Sequence, residues 1–535
     1  MHLTAFQPVT RGPSTDLRGL LLPAVTQLPR LWWVPLLLVT VLGGVMRFVN
    51  LSWPHAVVFD ETYYLKDSYS LLLNGTEQQW PSDADETFTA GAPTTTLDEP
   101  SFVVHPPVGK WLIAGGLWLF GADDPFGWRF SAALFGTVSI ALIFAAAWLL
   151  FRSITLATAA GLLMSLDGLH LVESRLALLD IFLMFFVLLA FVLLLLDRDD
   201  GRRRLVARFS PHGPGPWLGI RWWRIAAGVA CGLAVGVKWN ALFLVAALGI
   251  LTVLWDMNAR RIAGVKQWFW GAAVKDGLPA FVAVIGTGLV VYVITWTGWL
   301  TTANGYHRQW AEQNPGEGLQ WLPPALRSLW EYHVAAYSFH AGLDSEHTYM
   351  AGPALWPILA RPTSYFYESP ERGVDGCTVD SCSQAILNQG NPAVWWVGIA
   401  AVLFALVLWI VKRDWRLGGL LGMYAAAYLP WFLYPERTMF YFYALAFFPF
   451  MVLIIVGVLG VLTGRLGVAP FGDTAGTPTA RNRFISRVWA HRWTTVGLVF
   501  MSLVVVCAVF FWPVWTGQTI PYDHWRWRMW FDSWI

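Results

Sequence analysis

The sequence predicts an all-α polytopic membrane protein. Only 13% of its 535 residues are charged and 56% are hydrophobic, whereas soluble domains carry roughly 25% charged residues. Apolar stretches of about twenty residues, the length that crosses a bilayer as a helix, recur along the chain. The 34 Trp, 34 Phe and 16 Tyr fit a membrane protein, whose aromatic rings gather at both interfaces. An ordinary soluble protein is excluded, and the net charge of +2 gives no indication of nucleic-acid binding.

Eleven apolar stretches are predicted to span the membrane. They occupy residues 31–50, 128–151, 153–172, 175–196, 225–238, 239–255, 278–297, 393–411, 418–434, 438–464 and 494–515. The stretch 105–122 is either a twelfth span or an amphipathic helix in the outer interface. If it is interfacial and the N-terminus is cytoplasmic, the cytoplasmic segments hold 23 of the 36 Lys and Arg, including the run Arg202 to Arg204. The positive-inside rule favours this topology, so we expect about eleven spans plus interfacial helices in the first outer loop.

This topology divides the chain into five parts. They are a cytoplasmic segment 1–30, a transmembrane module 31–297 with an outer loop at 51–127, a large outer loop 298–392, C-terminal transmembrane helices 393–515 and an outer aromatic tail 516–535. The first span has no small-residue cleavage signature after it, so we expect an anchor rather than a removed signal peptide. The Gly/Pro/Thr-rich stretch 469–480 predicts a flexible linker.

Two of the four cysteines are disulfide candidates. Cys377 and Cys382 lie close together in the large outer loop, where an oxidising compartment would allow a disulfide. Free thiols remain the alternative, because the spacing does not give the Cα separation that a disulfide requires. Cys231 and Cys507 lie in apolar stretches, where a cysteine acts as a small hydrophobic residue.

Ionisable residues are predicted to gather at the outer ends of the spans. They are Arg47, Asp60, Glu61, Arg129, Glu173, Arg175, Lys238, Glu436 and Arg437. Any one of them could simply extend into the headgroups. Ionised groups at membrane depth cost about 2.5–3.5 kcal/mol each on insertion scales, so a collection of them indicates a cavity. An acidic pair among several cations is the kind of site that handles an anionic, lipid-linked substrate.

The same residue types suit the transfer of a sugar from a polyprenyl phosphate. Cations stabilise the charge that grows on the leaving phosphate, and one carboxylate takes the proton of an attacking hydroxyl. Adjacent carboxylates in an extended segment point in different directions, so Asp60 and Glu61 are not expected to share a proton. No Gly-rich nucleotide loop is evident in the sequence, which favours a lipid-linked donor over a nucleotide sugar.

The chemistry requires no metal or other cofactor, although the sequence leaves metal dependence open. Two groups of residues invite a metal interpretation, and in both we expect ordinary side chains instead. They are the outer-loop histidines His333, His340 and His347, and the set Asp167, His170 and Glu173.

Five segments, in this order, resemble the protein O-mannosyltransferases, which are membrane glycosyltransferases of the GT-C class. They are MRFVNL at 46–51 leading to VFDETYY at 58–64, HPPVGKW at 105–111, WRFSAALFG at 128–136, ESRLALLDIFLMFF at 173–186, and GLAVGVKWNALF at 232–243. The segment at 347–368 looks like the outer loop of bacterial members. The resemblance covers residues 31–465, and the 298–392 loop has no room for the β-trefoil MIR module, which matches the smaller bacterial type.

The resemblance implies transfer of mannose from polyprenyl-phosphate-mannose to Ser or Thr of polypeptides at the outer face of a bacterial plasma membrane. It implies a GT-C fold whose catalytic module is 31–297, and an extracytoplasmic active site and C-terminus. Membrane lipid is a further partner, and a secretion translocon is a possible one.

The matching motifs also suggest a role for each candidate residue. Asp60 takes the position of the catalytic base, with Glu61 as its acidic partner. Basic and polar positions are assigned to the donor: Arg47, His105, Lys110, Arg129, Arg175, Lys238 and Arg437. Alternatives remain for several of them. Arg47 and Arg129 could hold the acidic pair, His105 could cap a helix, and Arg175 and Lys238 could pair with Glu173 or Asp180.

Two other functions remain open at this point. A GT-C transferase could act on a lipid or cell-wall glycan instead of a protein, because one fold serves many acceptors. A lipid flippase or transporter is disfavoured, because transporters commonly show internal repeats and charges near the bilayer midplane.

Overall fold

A computed structural model of the chain describes residues 17–22, 30–466 and 480–535, with side chains described outside 480–490. Most of the predicted cytoplasmic segment 1–30 and nearly all of the predicted linker 469–480 lie outside the described residues. The described part is mainly helical. Its longer helices are α1 (Trp33–Phe48), α2 (Glu61–Asn74), α3 (Val108–Phe120), α4 (Pro125–Phe151), α5 (Ile154–Ser165), α6 (Asp180–Ala207), α7 (Trp222–Val235), α8 (Ala241–Ala263), α9 (Trp268–Thr295), α10 (Pro324–Ala341), α11 (Pro392–Lys412), α12 (Trp415–Tyr428), α13 (Phe448–Leu462) and α14 (Ala480–Trp515). Short helices are Leu17–Leu21, Ala84–Thr89, Gly168–Glu173, Thr297–Thr301, Trp310–Gln313 and Tyr522–Arg526.

Six of the described helices are long and apolar enough to cross a membrane: α4, α6, α8, α9, α11 and residues His491–Trp515 of α14. Five shorter apolar helices accompany them: α1, α3, α5, α7 and α13. Each of the eleven predicted stretches contains a helix, so the chain is a multi-pass membrane protein. The number of spans stays a prediction, because several of these helices are shorter than a bilayer needs.

Helix α3 lies in the stretch 105–122, which the sequence left open as either a span or an interfacial helix. Its 13 residues give a helix of about 20 Å, which is shorter than the hydrocarbon core of about 30 Å. It packs between α2 and α4 and leaves Trp118 73% exposed. Helices α5 and α7, which lie in predicted spans, have 12 and 14 residues, so the interfacial position of α3 stays a prediction.

The predicted span 153–172 is interrupted. Helix α5 ends at Ser165, and the short helix Gly168–Glu173 begins after Asp167, whose carboxylate accepts a hydrogen bond of 3.2 Å from the His170 backbone N–H. The carboxylate also accepts hydrogen bonds from the Asn391 backbone N–H and the Trp395 indole. Asp167 therefore satisfies the backbone donors at this break and ties it to the start of α11.

The prediction of an all-α fold is incomplete, because a small sheet forms in the large outer loop. Strands β1 (Ser364–Glu368), β2 (Cys382–Leu387) and β3 (Ile520–Pro521) are antiparallel in the order β1-β2-β3, with Phe366 opposite Ile386 and Cys382 opposite Pro521. A disulfide joins Cys377 to Cys382 at the start of β2. The sheet thus connects the outer loop to the segment after α14.

The aromatic tail packs into this outer region. Trp534 is 1% exposed, and its indole donates a hydrogen bond of 2.6 Å to the Leu359 carbonyl. Arg361 donates hydrogen bonds to the carbonyls of Ser533 and Ile535. The tail is consequently part of the fold, although Trp527 remains 64% exposed.

Candidate active site

The acidic pair lies at the start of α2, where its two carboxylates have different environments. Glu61 is fully buried, and both of its oxygens accept hydrogen bonds of 2.9 Å from the guanidinium of Arg129. The backbone N–H groups of Ala177 and Val58 also donate to the Glu61 carboxylate, at 2.8 Å to Oε1 and 3.0 Å to Oε2. The Glu61 carboxylate accepts four hydrogen bonds and has no oxygen free for a substrate.

The guanidinium of Arg129 also uses its hydrogen-bond donors within the protein. Besides Glu61, its guanidinium donates to the carbonyls of Leu51, Pro54 and Ala56. Arg129 thereby connects α4 to the loop that leads into α2. Of the two assignments that the sequence suggested for Arg129, the contacts match the one in which it holds the acidic pair.

Asp60 precedes the first residue of α2, and its carboxylate has no hydrogen-bond partner among the described residues. Burial raises its pKa to about 6, while Lys238 lowers the pKa and Asp180 raises it. A carboxyl in a poorly hydrated site disfavours its charged form, which places its pKa close to working pH. Asp60 is therefore the member of the pair that is free to accept a proton.

Lys238 and Asp180 form a buried ion pair beside Asp60. The Lys238 Nζ lies 2.6 Å from the Asp180 Oδ2, and the side chains are 8% and 6% exposed. Three aromatic rings surround the ammonium group, with centroids 5.9 Å away for Tyr64, 5.7 Å for Phe442 and 5.9 Å for Tyr443. Because Tyr64 lies one turn after Asp60 on α2, the helix presents Asp60 and this ring to the same cation.

A cavity of about 270 Å³ opens at this ion pair. Its charged and polar walls are Asp180, Lys238, Arg437, His105 and His340. Its aromatic walls include Trp239, Trp431 and Tyr443. Asp60 is not part of the wall itself, although its charge acts on Lys238 and Asp180.

Arg437 supplies a cation that no carboxylate neutralises within the described residues. Its guanidinium donates to the carbonyls of His340 and Thr438 and to the Tyr443 hydroxyl at 3.2 Å. The rings of Trp431 and Tyr443 lie 5.8 and 5.6 Å from its central carbon. Arg is suited to bind phosphate oxygens in this way, because its charge persists and its donors are fixed in a plane.

Two stacked histidines form one side of the cavity. The His105 and His340 ring centroids are 5.0 Å apart, and burial lowers both pKa values, that of His340 to about 4. The His340 Nε2 lies 2.9 Å from the Val104 carbonyl, which only accepts, so Nε2 carries the proton of the neutral ring. His105 thus lines the cavity, and it does not cap α3, whose N-cap residue is Pro107.

An apolar groove adjoins the cavity. It encloses about 510 Å³ between α7, α9 and α10, and its lining includes Val235, Leu289 and Val334. Trp239, Leu242 and Tyr337 belong to both walls, so the groove and the cavity are neighbours. The charged cavity therefore lies directly beside the apolar groove.

The remaining predicted cations lie elsewhere. Lys110 is 1% exposed and is paired with Glu77, and it also donates to the His105 carbonyl at 3.0 Å. It therefore fixes the backbone that carries His105 and does not line the cavity.

Arg175 and Arg47 contact the end of α1 and its surroundings. The Arg175 guanidinium donates to the carbonyls of Met46, Arg47, Val49 and Asn50 and so caps the last turn of α1. Arg47 is fully buried, with its guanidinium 2.9 Å from the Gly43 carbonyl and 2.5 Å from the His170 Nδ1. Neither arginine belongs to the cavity wall.

The three histidines of the large outer loop do not form a metal site. His333 and His340 lie on α10, which corrects their description as loop residues, and His347 follows the helix. His333 contacts the Tyr292 hydroxyl and stacks on Trp239. No group of three or more His, Cys, Asp and Glu in the described residues is arranged to hold a metal ion.

Sequence reasoning gave Asp180 and His340 no role in the site. The sequence presents Asp180 only as an alternative structural partner of a cation, and the structure pairs it with Lys238. Its position as the first residue of a long apolar helix was an available signal, because a carboxylate there faces the outer end of the bundle. Tyr443 had no comparable signal in the sequence.

The chain is similar in sequence to known proteins over nearly its whole length. Residues 106–302 match the family described as dolichyl-phosphate-mannose-protein mannosyltransferase, and residues 325–534 match the C-terminal four-transmembrane region of protein O-mannosyltransferase. The chain is 34% identical over 517 residues to a polyprenol-phosphate-mannose–protein mannosyltransferase of Mycolicibacterium smegmatis, covering 94% of this chain and 93% of the relative. It is 35% identical over 539 residues to the Mycobacterium tuberculosis protein of that name, covering 98% and 93%.

The fold is similar to that of a solved yeast complex. The Saccharomyces cerevisiae protein O-mannosyltransferase Pmt1-Pmt2 complex bound to the sugar donor matches with a TM-score of 0.70 and 15% identity, covering 98% of this chain and 94% of that chain. At this identity the likeness shows the fold alone. The fold is that of the GT-C membrane glycosyltransferases, as the sequence predicted.

Proposed function

Because the chain belongs to the family of polyprenol-phosphate-mannose–protein mannosyltransferases, we propose that it transfers mannose from polyprenyl-phosphate-mannose to a Ser or Thr hydroxyl of a polypeptide. One structural observation carries the proposal. A cavity with two cations, Lys238 and Arg437, adjoins an apolar groove and lies beside a carboxylate, Asp60. A lipid-linked phosphosugar needs all three of these features.

The donor would bind with its phosphate in the cavity and its prenyl chain in the groove. The phosphate diester has one negative charge, which Arg437 and Lys238 would attract. The prenyl chain would lie against Val235, Leu289 and Val334, and apolar surface buried in this way contributes about 25 cal/mol per Å². The shared residue Trp239 marks the point where headgroup and chain would meet.

The reaction is a single displacement at the anomeric carbon of mannose. The acceptor oxygen forms a bond to that carbon, the bond from the carbon to the phosphate oxygen breaks, and the hydroxyl proton passes to Asp60. Configuration at the anomeric carbon is inverted. The polyprenyl phosphate leaves with one additional negative charge, which Lys238 and Arg437 stabilise as it develops.

Glu61, Arg129 and Lys110 act through other groups. Glu61 and Arg129 fix the first turn of α2 and so position Asp60, and Lys110 fixes the backbone at His105. Arg175 and Arg47 stabilise the end of α1. We therefore restrict direct contact with substrate to Asp60, Lys238, Arg437, His105 and His340.

The site would face the extracytoplasmic side, with the N-terminus in the cytoplasm and the C-terminus outside. The excess of Lys and Arg in the opposite loops supports this orientation. Acceptors would be secreted or membrane polypeptides, which a secretion translocon would present to the site as they cross.

The variant Asp60→Asn tests the proposal. Its amide cannot take a proton, so mannose transfer from purified polyprenyl-phosphate-mannose to a Ser/Thr peptide should fall to background. The Asp60 carboxylate holds no hydrogen bond in the described part of the fold, so the variant should still fold and bind donor. Activity equal to that of the unmodified protein would refute the assignment of the base. Transfer to a glycan but not to any peptide would refute the acceptor class.

A further inference from the structure

A second charged cavity lies at the other end of the helix bundle. Asp180 and Arg198 belong to the same helix, α6, and their separation of 18 positions along the chain corresponds to about 27 Å. This separation is close to the thickness of the hydrocarbon core. The cavity at Arg198 therefore opens at the membrane face opposite Asp60.

This cavity encloses about 320 Å³ and is strongly basic. Five arginines line it: Arg152, Arg198, Arg202, Arg416 and Arg465. Two carboxylates form ion pairs with three of these arginines. Asp199 is paired with Arg152 and Arg198, and Asp414 is paired with Arg416. Among the described residues, Arg202 and Arg465 form no ion pair, although the charges of Asp199 and Asp256 act on Arg202. Five arginines and one carboxylate, Asp199, line the cavity, so its wall has an excess of positive charge.

Two of the arginines have unused donors. Arg198 and Arg202 are 7% and 8% exposed, and the Nε–H of each has no hydrogen-bond partner within the described residues. They are four residues apart on α6 and so share one face of the helix. The ring of Trp415, 3.3 Å from the central carbon of Arg198, fixes this guanidinium, and the Leu21 carbonyl, 3.1 Å away, fixes that of Arg202. A buried donor without a partner is costly, which points to a ligand that accepts from both.

The rest of the wall is apolar. It consists of Leu149, Leu150 and Phe151 from the end of α4, together with Leu20, Leu21, Leu22, Trp415 and Leu466. A small soluble anion would leave this surface uncovered, whereas a phospholipid would place its phosphate on the arginines and the start of an acyl chain on the leucines.

We propose that this cavity binds the phosphate headgroup of an anionic phospholipid from the membrane leaflet opposite the active site. The arginines supply charge-assisted hydrogen bonds to the phosphate oxygens, and basic pockets between membrane helices are suited to such headgroups. The site is separate from the mannosyl donor site, so the proposal does not depend on the proposed function.

The test uses the full-length protein in nanodiscs of phosphatidylcholine that contain a small fraction of phosphatidylglycerol. After transfer to detergent, native mass spectrometry counts the phosphatidylglycerol retained by the protein and by three variants. Arg465→Gln removes an exposed arginine of the cavity, Arg198→Gln removes a buried one, and Arg261→Gln removes an exposed arginine at the same face but outside the cavity. We expect about a tenfold loss of retention for the first two variants and no change for Arg261→Gln.

Thermal unfolding of each variant verifies that the protein is folded, and Arg465→Gln provides the test if Arg198→Gln does not fold. Equal retention by Arg465→Gln and Arg261→Gln would overturn the proposal, because it would indicate diffuse attraction. Equal retention of phosphatidylcholine would also overturn it. Displacement of the lipid by millimolar inorganic phosphate would overturn the choice of a lipid and assign the cavity to a soluble phosphate.

Discussion

Lys238 donates a 2.6 Å hydrogen bond to Asp180, and the two side chains are almost completely buried beside Asp60. The pair links the start of α6 to the turn between α7 and α8, so it joins two membrane helices at the site. Removal of one charge from such a pair leaves the other buried without compensation, at a cost of about 3–5 kcal/mol. Lys238 therefore both stabilises the leaving phosphate and neutralises Asp180. A loss of activity in a Lys238 variant would reflect either role.

Arg437 allows a cleaner test of phosphate stabilisation. No described carboxylate depends on it, so Arg437→Gln should fold normally, while the charge on the leaving phosphate loses one partner. We expect kcat/KM for polyprenyl-phosphate-mannose to fall on the order of 10²–10³-fold. Arg372→Gln is the control, because Arg372 is 65% exposed in the large outer loop. Comparable activity of the two variants would exclude Arg437 from the donor site.

The pKa of Asp60 predicts the acid limb of the pH profile. Its carboxyl has a pKa of about 6, and only the ionised form accepts a proton. As the pH falls through 6, a growing fraction is protonated, so kcat/KM should fall about tenfold for each further pH unit. Above about pH 7 the limb should be flat. The measurement is transfer rate against pH at low donor concentration, and a profile that stays flat from pH 7 to pH 5 would contradict Asp60 as the base.

Glu61 and Arg129 should matter for stability as a pair. Both side chains are 0% exposed, so Glu61→Gln leaves a buried guanidinium without its counter-ion, at a cost of about 3–5 kcal/mol. Arg129→Met should cost a similar amount, and the double variant should cost less than the sum. Thermal unfolding of the purified protein measures all three. Strictly additive losses would show that the two residues are not coupled, whereas Asp60→Asn should not lower Tm.

The apolar groove predicts dependence on the length of the prenyl chain. Val334 lines the groove and is 43% exposed, so Val334→Trp should narrow it without disturbing a packed core. We expect KM to rise about tenfold for a long polyprenyl donor and to remain unchanged for a short farnesyl analogue. Val397→Trp changes a residue on α11 that is 38% exposed and outside the groove, and its KM values should match those of the unmodified protein. An equal effect of Val334→Trp on both donors would place the prenyl chain elsewhere.

The sequence was sufficient for the apolar helices and for the grouping of four candidate site residues. Apolar segments identify membrane helices because lipid leaves the backbone few alternatives. It also singled out Asp60, His105, Lys238 and Arg437, which come together in the structure. All four follow or precede an apolar segment at the predicted outer end, so topology alone brings them near one another.

The sequence could not separate the arginines that bind carbonyls from those that face the cavity. Arg175 and Arg437 both lie at helix ends, but Arg175 donates to four carbonyls around the end of α1 and Arg437 borders an open space. Such a difference depends on how closely two chain segments approach. The role of His340 was missed for the same reason, because it required the placement of α10 against His105. The small sheet escaped notice since its strands are short and one comes from the far end of the chain.

The order of the strands has a consequence for biogenesis. β2 pairs on one side with β1 and on the other with β3, which follows α14. A ribosome that is still translating α14 therefore leaves the second edge of β2 without a partner, and open strand edges invite unwanted pairing. A nascent chain arrested there would contain every earlier membrane helix and yet expose the edge of β2 that Ile520 and Pro521 cover in the completed protein.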